Sequence, residues 1–378
     1  MAWGKRIYRE QELVARSQVP HCGADQVHPQ GGGLGDAGAT IQHAIGGDSI
    51  QTVDAIADGL RSGGHEVEKI EVTGPASHLA ARIESFAPDL IFNTAEGRRG
   101  RSREAFYPAL FEELGFPYTG SDAYVMTVTL DKWMTKLILG AQGIDTPRAR
   151  LVVPDDMQRG RDTGLLGLAY PVIIKPNYEG SSKGISDDAV ARDVRGLMDI
   201  LPRALRRYPA GVLVEEFIPG TDVTVPFLEG LGDEGVLTPV DYVIEPSART
   251  RFNIYDYRLK STDANRVQVR CPPDLQRDVV ARLRALTKTA TRALGVRDLC
   301  RVDFRLGEDG RIYLLEINAL PSLEPGSSTF SAAAREGLDY DATLAAVVAS
   351  AARRQGLTVP QVGRRKHVLS RRARGTGL

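Results

Sequence analysis

The stretch IYLLEINALPS, residues 312–322, decides how this chain is read. A run of apolar, strand-forming residues carries a carboxylate at Glu316 and a carboxamide at Asn318, then breaks at Pro321. Side chains alternate faces along a strand, so Glu316 and Asn318 share one face at the strand's end. Alone, this describes an edge strand with a wet face equally well. Just upstream, CRVDFRL (300–306) and the turn GEDGR (307–311) complete a hairpin signal, because Asp-Gly between two strand-like runs favours a tight reversal. Counting from that turn, Asp303 can lie across from Glu316 and Asn318 on the same face. Two carboxylates and a carboxamide form an oxygen cage suited to a hard divalent cation such as Mg²⁺. Without a cation these groups would repel and desolvate one another.

Mg²⁺ held by few protein ligands is usually completed by phosphate oxygens and water, which directs attention to a nucleotide site. EGSSKG (179–184) offers glycines, hydroxyls and successive N–H groups able to wrap a phosphate. A Gly/Ser loop is a weak signal by itself. Here it follows PVIIKP (171–176), whose Lys175 ends a buried strand and calls for an anionic partner, with phosphate the favoured one. Lys132, after Asp131, is a second candidate phosphate lysine, or one member of a solvated helix face. Glu215 and Glu216 in LVEEFIPG suit an adenine edge, and Asp222 beyond the Pro-Gly turn suits a ribose hydroxyl.

The 378 residues suggest two or three domains, and equal numbers of basic and acidic residues give a formal net charge of zero. Nothing global recommends nucleic acid or an anionic membrane as a partner. Cys22, Cys271 and Cys300 lack metal-ligand or redox spacing, as expected of a reducing, cytoplasmic compartment. No apolar run is long enough to span a bilayer, and the N-terminus lacks a signal-peptide pattern, so a soluble protein is expected.

Residues 1–46, rich in Gly, read as irregular. Residues 47–120 read as an α/β layer with a mainly parallel sheet: a helix from Val53 to Leu60 stopped at Gly63 and Gly64, an alternating strand, a second strand at PDLIFNTAEG, and a helix in REAFYPALFEELG. Residues 121–217 and 218–356 form two further units, including an amphipathic helix in DVRGLMDILPRALRRY and a long helix from Pro273 to Leu294. The basic end, 357–378, reads as a solvated tail.

The ordered set DK, VIIKP with EGSSKG, VEEFI, YDYRLK, RVDF and LLEIN followed by a proline resembles the D-alanine–D-alanine ligase family of the ATP-grasp superfamily. The resemblance runs from about Gly47 to Gly356. It implies an α/β, three-domain ATP-grasp fold: an N-terminal parallel-sheet domain followed by two α+β lobes that hold ATP between them. It also implies ATP with Mg²⁺ or Mn²⁺, two ions, a homodimer, and a carboxylate activated as an acylphosphate before an amine attacks it. Carried across, Lys132 and Lys175 match phosphate contacts, and Glu179, Ser181, Ser182 and Gly184 belong to the phosphate-covering loop, with Ser181 in a catalytic position. Glu215, Glu216, Ile218 and Asp222 match the adenine and ribose positions. Lys260 matches the lysine near the transferred phosphate, Arg301 the arginine that stabilises the tetrahedral intermediate, and Asp303, Glu316 and Asn318 the metal ligands. Ser327 falls where a serine binds the second amino acid's carboxylate, with Tyr257, Ser322 and Glu96 as further substrate positions.

The departures gather around the substrates. GGGLGDAGATIQHAIGGDSIQ (31–51) has no glutamate where the family uses one for the first ammonium group. The family's Leu-His-Gly turn is replaced by NTAEGRRGRSRE, with Glu96 and four arginines. Ser261 replaces a tyrosine and Ser322 a glycine whose N–H helps form an oxyanion hole, a function a serine N–H can still serve. Three readings therefore stay open: a D-alanyl-D-alanine-type ligase, a specialised ligase of another amino acid or peptide, and a nucleotide-binding protein without catalysis. The presence of Asp303, Glu316, Asn318, Lys132 and Lys175 speaks against the last.

Overall fold

The computed structural model describes residues 49–357 except 73, 161–166 and 261. The expectations for residues 1–46 and for the tail after 357 lie outside the described residues.

The N-terminal part is helical where expected. Ser49 accepts the Thr52 N–H and starts α1 (Ile50–Ser62), which ends at Gly63. α2 (Ala76–Phe86) and α3 (Phe106–Leu114) follow, the latter closed by Gly115 in the left-handed region. The alternating strand expected after Gly64 forms no ladder among the described residues. The second is reduced to a parallel bridge between Ile91 and Tyr118, although Leu90, Ile91 and Phe92 are buried as expected. An apolar run dictates burial more firmly than it dictates pairing.

α4 (Ala123–Leu130) and α5 (Lys132–Ala141) are separated by Asp131, whose carboxylate caps α5 by accepting the Met134 N–H. Next come β1 (Ala149–Val152), α6 (Pro154–Gln158), β2 (Val172–Pro176), β3 (Val190–Ala191), α7 (Val194–Arg207) and β4 (Val212–Glu216). The four strands make an antiparallel sheet in the order β1-β4-β2-β3. Leu197, Leu201 and Leu205, at helical spacing on α7, close its apolar face, each worth roughly 2 kcal/mol on burial.

Pro219 and Gly220 carry the chain out of this sheet into a second one. Gly220 has φ 153°, and a Cβ there would sit 2.0 Å from the Leu306 carbonyl oxygen, so only glycine fits. The second sheet is built of β5 (Gly220–Leu228), β6 (Val240–Ile244), β7 (Val267–Arg270), β8 (Leu299–Gly307) and β9 (Ile312–Asn318), antiparallel in the order β7-β6-β5-β8-β9. α8 (Tyr257–Lys260) precedes β7, α9 (Arg277–Leu294) precedes β8, and α10 (Ser328–Arg335) and α11 (Tyr340–Arg354) end the described chain. Leu283, Ala290 and Leu294 of α9 pack with Val302 and Phe304 of β8, whereas α11 shares its core with α1.

The hairpin β8–β9 has the expected turn and an unexpected bulge. Arg301 pairs with Asn318 and Asp303 with Glu316, but the register shifts between Asp303 and Phe304, so that Phe304 pairs with Leu314. Strict alternation would put Ile312 and Leu314 on the same face as Glu316. The bulge lets Ile312, Leu314 and Ile317 face the core while Leu315, Glu316 and Asn318 face the opening.

Candidate active site

One face of β5, β8 and β9 gathers polar side chains by register alone. Asp222 lies opposite Arg305, Thr224 opposite Asp303, Asp303 opposite Glu316, and Arg301 opposite Asn318. This face forms one wall of a cavity of about 100 Å³, open to solvent, whose other wall comes from β2, β4 and the loop after β2. Ile173, Phe217, Ile218 and Leu315 line an apolar part; Lys132, Lys175, Lys260, Arg301, Asp303 and Glu316 line the charged part. An apolar slot beside a cationic end matches a purine nucleotide with its phosphates.

Asp303 accepts both Nε and Nη2 of Arg301, at 2.9 and 2.7 Å, as well as the Thr224 hydroxyl at 2.8 Å and the Asn318 amide at 3.1 Å. Glu316 Oε2 lies 2.9 Å from Lys132 Nζ. Burial pushes the Glu316 carboxyl up, but Lys132 and Lys260 outweigh it and hold its pKa at about 2. The donor set is two carboxylates and an amide, hard oxygens that fit a divalent cation needing phosphate and water to complete its shell. Among the described residues no group of three His, Cys, Asp or Glu side chains gathers as an alternative centre. Arg301 and Lys132 meet the negative charge here.

The lysines are placed more specifically than spacing predicted. The anionic partner that Lys175 calls for includes a protein one: its Nζ bonds Glu215. Glu215, only 2% exposed, is shared with Lys136 Nζ at 2.6 Å, so two buried lysines face one carboxylate and a positive excess remains. Burial raises the Glu215 pKa, but the two lysines lower it further, keeping the carboxylate ionised. Burial pulls the Lys136 and Lys260 pKa values down. Lys260 Nζ sits 5.0 Å from the centre of the Tyr255 ring, which itself packs on Tyr242.

The Glu215 carboxylate is thus committed to lysines. The Glu216 side chain reaches away, to Arg148 at 3.2 Å and the Ala169 N–H at 2.8 Å. Neither side chain is turned to the apolar part of the cavity. Asp222 keeps one oxygen on Arg305 at 2.8 Å and turns the other towards the Tyr255 N–H.

The loop after β2 is held in unusual backbone. Ser181, Ser182 and Gly184 all have positive φ, and a Cβ on Gly184 would meet the Tyr208 hydroxyl at 2.8 Å. The Glu179 carbonyl accepts Lys132 Nζ at 2.6 Å, and the Ser182 hydroxyl reaches the Tyr255 carbonyl across the cavity at 3.3 Å. Ser181 is exposed.

The substrate positions are more scattered. Glu96 accepts Arg103 Nε at 2.8 Å and Ser322 is exposed. Ser327 is the N-cap residue of α10, but its side chain makes no capping bond, and its buried Oγ has no hydrogen-bond partner among the described residues. Tyr257 opens α8; its side chain lies outside what is described. Lys136, Thr224, Tyr242 and Glu104 were not singled out in the sequence, and Arg103 only as one of the four arginines after Glu96. Lys136, four residues after Lys132 on the same helix face, and Thr224, two after Asp222 on the same strand face, had a periodic signal. The others had none.

A family model described as D-ala D-ala ligase C-terminus matches residues 141–349. The chain is 30% identical over 300 residues to the D-alanine–D-alanine ligase of Gloeobacter violaceus, covering 79% of this chain and 93% of that protein. It is 32% identical over 330 residues to that of Aromatoleum aromaticum, covering 85% and 99%. Among solved structures, the D-alanine–D-alanine ligase of Bacillus anthracis complexed with ATP superposes with a TM-score of 0.66 at 20% identity, over 81% of this chain and 93% of that one. No described helix is long and apolar enough to cross a membrane.

Proposed function

Because the chain belongs to the D-alanine–D-alanine ligase family of ATP-dependent ligases, we propose that it joins two D-alanine molecules at the cavity between its two antiparallel sheets. The observation that carries this reading is the register that sets Asp303 against Glu316 and Arg301 against Asn318 beside three lysines.

Asp303, Glu316 and Asn318 would hold Mg²⁺ or Mn²⁺, two ions on this reading, which supply charge neutralisation on the transferring phosphoryl group. Ile173, Phe217, Ile218 and Leu315 enclose the adenine, and Asp222 accepts from the ribose. Lys132, Lys175 and the backbone of residues 179–184 hold the phosphates. An oxygen of the first amino acid's carboxylate attacks the γ-phosphorus, ADP departs, and Lys260 neutralises the phosphoryl oxygens as they move. The amine of the second amino acid then attacks the acyl carbon. Arg301 and the Ser322 N–H stabilise the oxyanion, phosphate leaves, and the amine's proton passes to solvent. Ser327 Oγ donates to the second amino acid's carboxylate, with Glu96 and Tyr257 near the substrates. The chain acts as a homodimer on this reading.

A second reading, a ligase of another acid and amine, is favoured by the recess of about 600 Å³ lined by Arg98, Arg99, Arg101 and Arg103. Phosphate release from ATP across a panel of D- and L-amino acids, singly and in pairs, with mass spectrometry of products, separates the two. D-alanine alone yielding its dipeptide supports the first; release only with other substrates supports the second.

A further inference from the structure

The start of the phosphate-covering loop is gripped from two sides. On one side stands α5: Trp133 N–H donates to Asn177 Oδ1 at 2.9 Å, Asn177 Nδ2 donates to Asp131 at 2.7 Å, and Lys132 Nζ donates to the Glu179 carbonyl. On the other side stands the loop of residues 96–105, which precedes α3 and carries Glu96. Its Arg103 is buried and donates through Nη1 to the Tyr178 carbonyl, and through Nε to Glu96 at 2.8 Å. Arg103 also lies 3.6 Å from Glu179 Oε2 and 3.6 Å from Glu104 Oε1. Arg101, exposed, stacks its guanidinium 4.8 Å from the Tyr178 ring centre and lies 3.6 Å from Asp131.

A planar guanidinium can satisfy a carboxylate and a carbonyl at once from fixed directions, which an ammonium cannot. Burying it between two loops from different parts of the chain has a desolvation cost that its partners must offset. The loop it meets sits in strained backbone at Ser181 and Ser182, which must be held from outside to persist.

We propose that Arg103 is a positioning residue that clamps the phosphate-covering loop to the Glu96 loop, keeping water from the γ-phosphate until the amino-acid carboxylate is in place. This rests on residues 179–184 covering the phosphates, as assigned above. With the clamp loosened, water enters: its oxygen bonds to the γ-phosphorus as the bond to the ADP oxygen breaks, and its proton passes to solvent. ATP is then spent without dipeptide.

The test is the ratio of phosphate released to dipeptide formed in the full-length enzyme with ATP, Mg²⁺ and the productive amino acids. Wild type should give one phosphate per dipeptide. Arg103→Met should raise the ratio to about fivefold or more and raise the KM for ATP, and Arg103→Lys should fall between. Arg101→Ala, at an exposed position, should raise it to a smaller degree and decides the matter if Arg103→Met does not fold. A purely structural arginine would lower both products together. A ratio of one in Arg103→Lys and Arg101→Ala, whatever the rate, overturns the clamp. A wild type that forms no dipeptide with any amino-acid pair overturns instead the reading on which the clamp rests, and the clamp falls with it.

Discussion

Lys132 Nζ lies 2.9 Å from Glu316 Oε2 and 2.6 Å from the Glu179 carbonyl, so one side chain at the start of α5 joins β9 to the loop after β2. The lysine is buried, and Glu316 meets its charge. Polyphosphate and metal arriving together can exchange this pair for two others without leaving either charge alone in the cavity. Glu316→Gln should keep the fold by circular dichroism and lower turnover by roughly a hundredfold or more at saturating Mg²⁺. Undiminished turnover contradicts the assignment.

The Lys136–Glu215–Lys175 cluster makes a prediction about stability. Glu215→Gln leaves two buried lysines without their shared anion and should cost on the order of 3–5 kcal/mol in urea unfolding. Lys136→Met leaves the Lys175–Glu215 pair in place and should cost about 2 kcal/mol or less. Equal losses would show that the carboxylate is not the centre of the cluster.

Glu104 predicts a pH dependence. Burial first, then the charge of Glu96, raises its pKa from 4.5 to about 7 against the pull of Arg103. Between those values the folded chain holds a proton the unfolded chain has lost. Glu104 therefore lowers stability progressively as pH rises from about 4.5 to 7, by on the order of 3 kcal/mol in total. Glu104→Gln should remove that slope: the variant's gain over wild type in chemical denaturation should be larger at pH 8 than at pH 5. The same gain at both pH values contradicts an elevated carboxyl.

Ser327 predicts a split between kinetic constants. On the proposal that Ser327 binds the acceptor's carboxylate, Ser327→Ala should raise the KM for the second amino acid by roughly tenfold and leave that for ATP unchanged. A shift in the KM for ATP instead would move Ser327 out of the acceptor site.

The polar face of β8 and β9 was partly legible because strand and turn chemistry carry it. Alternation and the Asp-Gly turn brought Asp303 to within one residue of Glu316 across the hairpin, the register shift supplied the rest, and the lysine ending β2 was visible as a charge in an apolar run. The bulge after Asp303 was not, although IYLLEIN contains its trace: Leu315 and Glu316 cannot both alternate with Ile312 and Leu314. Lys175's partner was missed because Glu215 read as a ligand contact, when a buried lysine on a neighbouring strand was the nearer claim on its charge. Arg103 and Glu104 were invisible as individuals within a basic cluster, since only tertiary packing separates a buried guanidinium from the exposed Arg98, Arg99 and Arg101 beside it. Loops are placed by what they pack against, and that information is not local.

The most direct test of the central claim is oxygen transfer from the acyl donor. With D-alanine carrying oxygen-18 in its carboxylate, ATP and Mg²⁺, attack on the γ-phosphorus should leave one oxygen-18 in each inorganic phosphate released alongside dipeptide, read by mass spectrometry. Phosphate free of oxygen-18 while dipeptide accumulates would contradict activation through an acylphosphate, and with it the reading of Lys260, Arg301, Asp303 and Glu316 as the groups that carry the reaction.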